Sequence, residues 1–181
     1  MAVVEEERSK ELVPIFLLKM NLPSKYALQE VYYEKGREIR VFDEKAVKLE
    51  ALRKEVYEQI GRKFCYIKEY GMWVAVSEEG VRQAKHVSEK IIKKLRELGF
   101  DEEFISRYYV RIMKVYLEPE DARELLDTAV RQLHEEVEAL KEKIREAEKA
   151  KNRSALARLQ RELRYRTALM EVFQEFLSQL P

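Results

Sequence analysis

The last third of the chain carries a heptad pattern of apolar residues. From Leu126 to Ala147 the apolar positions alternate steps of four and three, and a second run from Leu156 to Leu180 does the same with one polar member, Arg166. This spacing predicts helices that each present one continuous apolar seam. The two seams are out of phase across residues 147–156, which favours a helical hairpin with a break at residues 151–154 over one uninterrupted helix.

Each seam needs a helical partner, and the sequence allows two. The two helices can pack against each other within one chain, or one or both can associate with a second copy. Self-association into a dimer or higher oligomer is favoured, because a lone helical hairpin leaves broad apolar surface to cover, and Arg166 would then set the register of the assembly. The seam residues expected to mediate oligomerisation are Leu126, Val130, Leu133, Val137, Leu140, Ile144, Leu156, Leu159, Leu163, Met170, Phe173 and Leu177.

Before the heptads, short β-rich runs alternate with amphipathic stretches. An apolar run at residues 13–20 is compatible with a short helix or an edge strand. The next expected elements are a hairpin of residues 28–33 and 38–42 around Gly36 and a helix over 44–60 between Asp43 and Gly61. A second hairpin, of residues 64–70 and 72–77 around Gly71, should be followed by a helix from 77 or 80 to 98. The last expected elements are an acidic turn or short helix over 101–106, a strand over 108–117, and a long helix from Pro119 to about 150.

These elements predict an α+β fold, in which a small antiparallel sheet with helices on one face is followed by a C-terminal coiled-coil helical hairpin. The expected division of the chain is an N-terminal segment (1–23), an α+β binding domain (24–118) and a helical oligomerisation region (119–181). This division assigns recognition to the α+β domain and assembly to the helices.

Composition narrows the class of protein. Charged residues make up 38% of the 181 residues, with 35 Lys/Arg against 34 Asp/Glu, a balance typical of proteins from hot environments, although a helix-rich tail also raises the Glu and Lys content. A single cysteine, Cys65, excludes an intrachain disulfide, and no apolar stretch is long enough to span a membrane. We therefore expect a cytoplasmic protein with no membrane contact.

Strand alternation predicts the chemistry of the sheet faces. If Ile39, Val41, Cys65, Ile67, Met72, Val74, Val76, Val110 and Ile112 face the two middle helices, the opposite layer carries aromatic and basic side chains. Such a layer suits unpaired nucleic acid, because bases stack on rings while cations meet phosphates, whereas a duplex hides its base faces. Alternatively, the layer is a core covered by the N-terminal segment or the helical tail, or it is a protein interface.

The preferred hypothesis is sequence-tolerant binding of single-stranded DNA, or of RNA, since stacking does not distinguish the sugar. The alternative functions are a protein adaptor with a coiled-coil assembly module and an enzyme subunit that contributes no catalytic residues. The residues expected to contact nucleic acid are Arg40, Phe42, Arg62, Lys63, Tyr66, Lys68, Tyr70, Trp73, Tyr109, Arg111 and Lys114.

Enzymatic patterns are weak. The two histidines, His86 and His134, lie in charged helical contexts, and the aspartates fall at expected caps and helix starts. There is no phosphate-binding glycine loop, serine elbow or Cys-His-Asp set. We expect no catalytic residues, no metal site and no cofactor.

The arrangement resembles the ThermoDBP family of single-stranded DNA-binding proteins from hyperthermophilic archaea and their relatives. The resemblance covers about residues 24–181 and rests on the segments FCYIKEYGMWVAV (64–76) and YYVRIMKVYL (108–117), followed by the heptads from Leu126. It implies a sheet-based cleft, a C-terminal dimerisation element, an archaeal source and a place in DNA replication or repair. The helical tail is longer and more hairpin-like than the simple zipper of that family.

Overall fold

The computed structural model describes residues 12–24, 28 and 30–181 and confirms the α+β class. The helices of the expected C-terminal hairpin pack against each other over most of their length. The elements are β1 (Val13–Asn21), β2 (Glu30–Glu34), β3 (Arg37–Val41), α1 (Glu44–Ile60), β4 (Cys65–Ile67), β5 (Met72–Ala75), α2 (Glu78–Glu97), α3 (Glu102–Ser106), β6 (Tyr109–Leu117), α4 (Pro119–Lys149) and α5 (Arg153–Ser178).

Local capping chemistry explains the helix boundaries. The Asp43 carboxylate accepts a hydrogen bond from the backbone N–H of Ala46 at 2.8 Å, and the Ser77 hydroxyl accepts one from Gly80 at 3.2 Å. Asn152 caps α5 in the same way, through the N–H of Ala155. These side chains satisfy N–H groups that lack a partner in the first helical turn, so the predicted starts of these helices are confirmed.

Four antiparallel strands form the main sheet in the order β4-β5-β1-β6. β1 is an interior strand, because Leu18 pairs with Trp73 of β5 on one side and with Ile112 of β6 on the other. Part of the expected N-terminal segment therefore belongs to the sheet, as a central strand and not as an edge strand. β5 pairs only with residues 16–18, so at Pro14 β1 has a partner on one side only, where proline is tolerated.

Helices cover both faces of this sheet. Phe16 and Leu18 pack against α1 and α2 in one cluster of buried residues. Val13, Ile15 and Val74 pack against α4 and α5 in a second cluster, on the opposite face. The side of the sheet turned away from α1 and α2 is therefore not open but covered by the helical tail over much of its area. Trp73, expected on that side, lies on the opposite one and packs with the cluster of α1 and α2.

The assignment of strand residues to faces was also partly wrong. Val110 and Ile112 pack against α1 and α2 as expected, but Cys65, Ile67 and Val74 face the helical hairpin. Alternation correctly placed successive side chains on opposite faces. It could not decide which face meets which helices, because β5 is apolar on both sides.

The β2–β3 hairpin forms a separate two-stranded sheet. Its turn has positive φ at Lys35 and Gly36, as a two-residue hairpin turn with matching twist requires, and the hairpin prediction is confirmed. Ile39 and Val41 are exposed here instead of facing the middle helices. Arg40 pairs with its neighbour Glu38, so this strand does not extend the predicted recognition layer.

The heptad seam is used within one chain. Leu126 and Leu133 are fully buried under the sheet, while Leu140, Ala147 and Leu159 form a smaller cluster between α4 and α5 farther along the hairpin. Burying a leucine of this kind contributes about 1.5 to 3 kcal/mol. Packing within one chain already covers these seam residues. Self-association through them stays a prediction. No helix in the described part of the chain is long and apolar enough to cross a membrane.

Candidate functional site

Three aromatic rings cluster where α1 meets the edge of the sheet. Tyr57 of α1 stacks on Trp73 of β5, with ring centroids 5.9 Å apart and planes 28° apart. The ring centroid of Tyr66 of β4 lies 5.2 Å from that of Trp73. Tyr66 and Trp73 are register partners and so share one face of the sheet. We call these three side chains the ring cluster.

A groove of about 630 Å³ opens beside the ring cluster, and we call it the ring groove. It exists because β5 begins at Met72, whereas β1 continues past that point to Asn21. Gly71, with φ of +62°, closes the β4–β5 turn and adds no side chain to fill the gap. The lining residues are Lys19, Met20, Tyr57, Tyr66, Gly71, Trp73 and Tyr109.

A second groove of about 390 Å³ lies where α1 and Trp73 of the sheet meet the helical hairpin, and we call it the junction groove. It shares Tyr57 and Trp73 with the ring groove, so the two adjoin. From α5 it receives Tyr165 and Arg166, and the Arg62 guanidinium lies 4.4 Å from the centroid of the Tyr165 ring. The hairpin therefore supplies part of the site.

Arg166, the polar residue of the second heptad run, fixes this junction. Its Nη1 donates a hydrogen bond to the Gly61 carbonyl at the end of α1, at 3.2 Å, and its Nε lies 3.5 Å from the Glu136 carboxylate of α4. A Cβ at Gly61 would lie 3.1 Å from the Tyr57 carbonyl oxygen and 3.3 Å from Arg166 Nη2. Glycine thus eases the close approach of Arg166 at this position, whereas its φ of −64° is one that any residue adopts.

The Gln132 side chain of α4 covers the open edge of β4. Its Nε2 donates to the Tyr66 carbonyl, and its Oε1 accepts from the Lys68 N–H at 3.3 Å. The amide group thus takes the position of a neighbouring strand's peptide, and it provides hydrogen-bond partners for backbone groups at the edge of β4. This contact ties the strand that carries Tyr66 to the helical hairpin.

The two grooves carry more basic than acidic side chains. Lys19, Lys54, Arg62 and Arg166 line them, against Glu58 and Glu162. Glu58 lies 3.6 Å from Arg62 and 3.9 Å from Arg161, whereas within the described residues no carboxylate lies within 4 Å of the Lys19 or Lys54 ammonium. Cations also approach the rings themselves.

Two of these cation–ring contacts flank the ring groove. The Arg53 guanidinium lies 4.9 Å from the centroid of Tyr57, and that of Arg111 lies 4.5 Å from the centroid of Tyr109. Such pairs hold a positive charge beside an aromatic face, which is the combination that attracts anionic ligands with flat rings. The local electrostatics therefore favour an anion with an aromatic part.

The structure brings together only part of the predicted contact set. Tyr66, Trp73, Tyr109 and Arg62 line the grooves, and Arg111 joins them through Tyr109. The exposed Lys68 and Tyr70 lie in the β4–β5 turn, next to Gly71.

The other predicted contacts lie elsewhere. Lys63 and Lys114 pair with Glu79 and Glu78 in the first turn of α2, outside both grooves. Arg40 belongs to the separate β2–β3 sheet and Phe42 follows it, because that hairpin does not join the main sheet. These four residues are therefore not part of the candidate site that the structure assembles.

Sequence reasoning missed five aromatic or basic lining residues on β1, α1 and α5. Tyr57 directly follows the buried Val56, so its place beside the core could have been inferred from helical periodicity. No pattern in the sequence indicates that α5 packs against the end of α1. The missed residues are Lys19, Lys54, Tyr57, Tyr165 and Arg166.

Two groups near the site have a raised pKa. Burial raises the pKa of the Cys65 thiol to about 12, with the Glu136 charge adding to the effect and Arg166 opposing it. Burial likewise raises the pKa of Tyr108 to about 12. Cys65 therefore stays protonated at neutral pH and is a poor nucleophile. Among the described residues, no group of three or more His, Cys, Asp or Glu is placed to hold a metal ion.

No known family, curated protein or solved structure matches this chain. The resemblance to the ThermoDBP family therefore stays a prediction.

Proposed function

We propose that the protein binds single-stranded nucleic acid in the adjoining ring and junction grooves. One observation carries the proposal: the two grooves meet at Trp73 and Tyr57, and each groove is also lined by basic side chains, Lys19 in one and Lys54, Arg62 and Arg166 in the other. Bases would stack against the exposed parts of the ring cluster and Tyr109. Phosphates would approach Lys19, Lys54 and Arg62.

The shape of the site supports a preference for unpaired strands. The rings line grooves and do not form a flat platform, so a base must leave its stack to reach Trp73, which a duplex resists. Stacking on a ring contributes about 1 to 3 kcal/mol per base and tolerates any base, since every base has an aromatic face. The same interaction accepts RNA, so the proposal covers both sugars.

The low net charge supports local recognition instead of general attraction to polyanions. The whole chain carries only +1, so a long-range field contributes little. Binding would depend on cations that are already near the rings. We therefore expect moderate affinity with a clear dependence on salt concentration.

The decisive experiment uses the only tryptophan of the chain, Trp73, as the reporter. Titration with an unlabelled oligothymidylate should quench its emission at low salt, and fluorescence anisotropy of a labelled oligonucleotide should give the same Kd. A duplex of equal length serves as the comparison and should bind more weakly. Absence of binding by any single strand at low salt would contradict the proposal and favour the adaptor alternative.

A further inference from the structure

The far end of the helical hairpin is the basic pole of the chain. Residues 141–166 contain ten Lys/Arg and four Asp/Glu, a net charge of +6 in a protein whose total is +1. We call residues 141–166, which cover the end of α4 and the first half of α5, the basic tip. The remainder of the sequence is net acidic, so the positive charge is concentrated in the basic tip.

Much of this charge is uncompensated. Lys141 and Arg145 pair with glutamates one turn earlier in α4, and Arg161 and Arg166 pair with Glu58 and Glu136. In the described ranges, the other six basic residues of the basic tip have no carboxylate within 4 Å. These six are Lys143, Lys149, Lys151, Arg153, Arg158 and Arg164.

A third groove connects the basic tip to the candidate site. This tip groove has a volume of about 560 Å³ and receives Lys143 from α4 and Arg158 from α5. Glu162 lines both the tip groove and the junction groove, and the junction groove in turn shares Trp73 with the ring groove. The three grooves therefore follow one another along the molecule.

The chemistry changes along this series. The ring and junction grooves contain aromatic rings, whereas residues 141–164 include no Phe, Tyr, Trp or His. Arg158 lies seven residues before Tyr165 on α5, a helical rise of about 10 Å. A ligand that runs from the rings to the tip groove would thus meet stacking surfaces first. In the tip groove it would meet Lys143 and Arg158, beside Glu146 and Glu162, and no aromatic ring of the described part of the chain.

We propose that the basic tip is a second contact zone for the same strand, which binds its phosphates without contacting its bases. The inference rests on the proposed function, and it implies that affinity depends on the length of the ligand. Strands long enough to reach the tip groove gain affinity from it. Strands that fill only the ring groove do not.

The test compares two ligand lengths and two matched variants. One variant carries Lys143→Gln, Lys151→Gln and Arg158→Gln in the basic tip, and the control carries Arg82→Gln, Lys85→Gln and Lys93→Gln on α2. All six side chains are exposed, and both variants lose three positive charges. Anisotropy titrations would use oligothymidylates of about 6 and about 30 nucleotides, lengths that bracket the usual site size of single-strand binders.

The expected result is a change in the salt dependence of binding. Each phosphate contact to a single strand adds about 0.7 to the slope of log K against log salt, so the basic-tip variant should lose about 2 from the slope for the long ligand. Between about 50 and 200 mM salt, the affinity of the wild-type protein for that ligand should then fall about 20-fold more than that of the variant. The short ligand and the control variant should show the wild-type slope.

Three outcomes would overturn the inference. An unchanged slope for the long ligand in the basic-tip variant, while Tyr66→Ala still weakens binding, removes the second zone and leaves the proposed function standing. Equal decreases of the salt slope in the basic-tip and control variants would indicate a general effect of charge and not a defined path for the strand. If the wild-type protein binds neither ligand, both proposals fail together.

Discussion

The Arg166 guanidinium donates a hydrogen bond to the carbonyl oxygen of Gly61, 3.2 Å away, and this contact joins the helical hairpin to the end of α1. The same guanidinium lies 3.5 Å from Glu136, so one side chain links α5 to both α4 and α1. A polar residue in a heptad seam often sets the register of an assembly. Here it ties the hairpin to the end of α1, beside the junction groove that Arg166 itself lines.

Gly61→Ala should destabilise the protein through this junction. The new Cβ would lie 3.3 Å from Arg166 Nη2 and closer still to a backbone oxygen, so the guanidinium must shift. We expect a loss of about 1 to 2 kcal/mol in the free energy of unfolding, measured by urea denaturation. In an Arg166→Ala background the cost of Gly61→Ala should shrink. Equal costs in both backgrounds would show that the two residues are not coupled.

Tyr66→Ala and Tyr109→Ala should each weaken binding of single-stranded oligonucleotides. Both side chains are about 40% exposed, so their removal should not unfold the protein, and loss of one stacked base costs about 1 to 3 kcal/mol. This corresponds to a rise in Kd of about 5- to 150-fold, measured by anisotropy. Tyr116→Ala is the matched control, since Tyr116 is more exposed and lies on β6 outside both grooves. An equal effect of the control would argue against the ring groove.

Gln132→Ala should open the edge of β4. The Lys68 N–H would lose its acceptor and the Tyr66 carbonyl its donor, which we expect to cost about 1 kcal/mol in unfolding free energy. Hydrogen exchange measured by NMR should show the Lys68 amide exchanging faster, with the core of β1 little changed. His134→Ala, at an exposed position of the same helix, should leave that amide unaffected.

The stability of the α1–α2 contact should depend on pH through Glu55. Hydrogen bonds from Lys94, and secondarily from Lys90, lower the pKa of Glu55 below its ordinary 4.5, against an opposing effect of burial. A lowered folded-state pKa means that this stabilisation is present above pH 4.5 and is lost as the pH falls through the folded-state value. Because the carboxylate is partly exposed, the contribution should stay below about 1 kcal/mol.

Glu55→Gln tests this pH dependence. At neutral pH the variant should be less stable than the wild-type protein in urea denaturation, and the difference should vanish in acid, below the folded-state pKa of Glu55. Glu89→Gln, at an exposed position of α2, is the matched control and should shift stability little at either pH. A stability gap for Glu55→Gln that is the same at both pH values would assign the effect to packing and not to charge.

Local patterns determined most of the elements, because their causes are short-range. Asp43, Ser77 and Asn152 cap their helices through N–H groups only three residues away, and the turn at Gly36 follows from the φ angles that glycine permits. The change in heptad phase correctly indicated two helices and a break. None of these inferences required knowledge of distant contacts.

The tertiary structure decided which surfaces meet. Alternation shows that Trp73 and Val74 point to opposite sides, but only the packed structure shows that α4 and α5 cover the Val74 side while Trp73 meets Tyr57 of α1. The sequence by itself therefore determined the elements and several of the aromatic and basic residues of the site. Only the fold assembled the grooves, because burial of apolar area does not depend on sequence separation, and it brings Arg166 to Gly61 across 105 residues of chain.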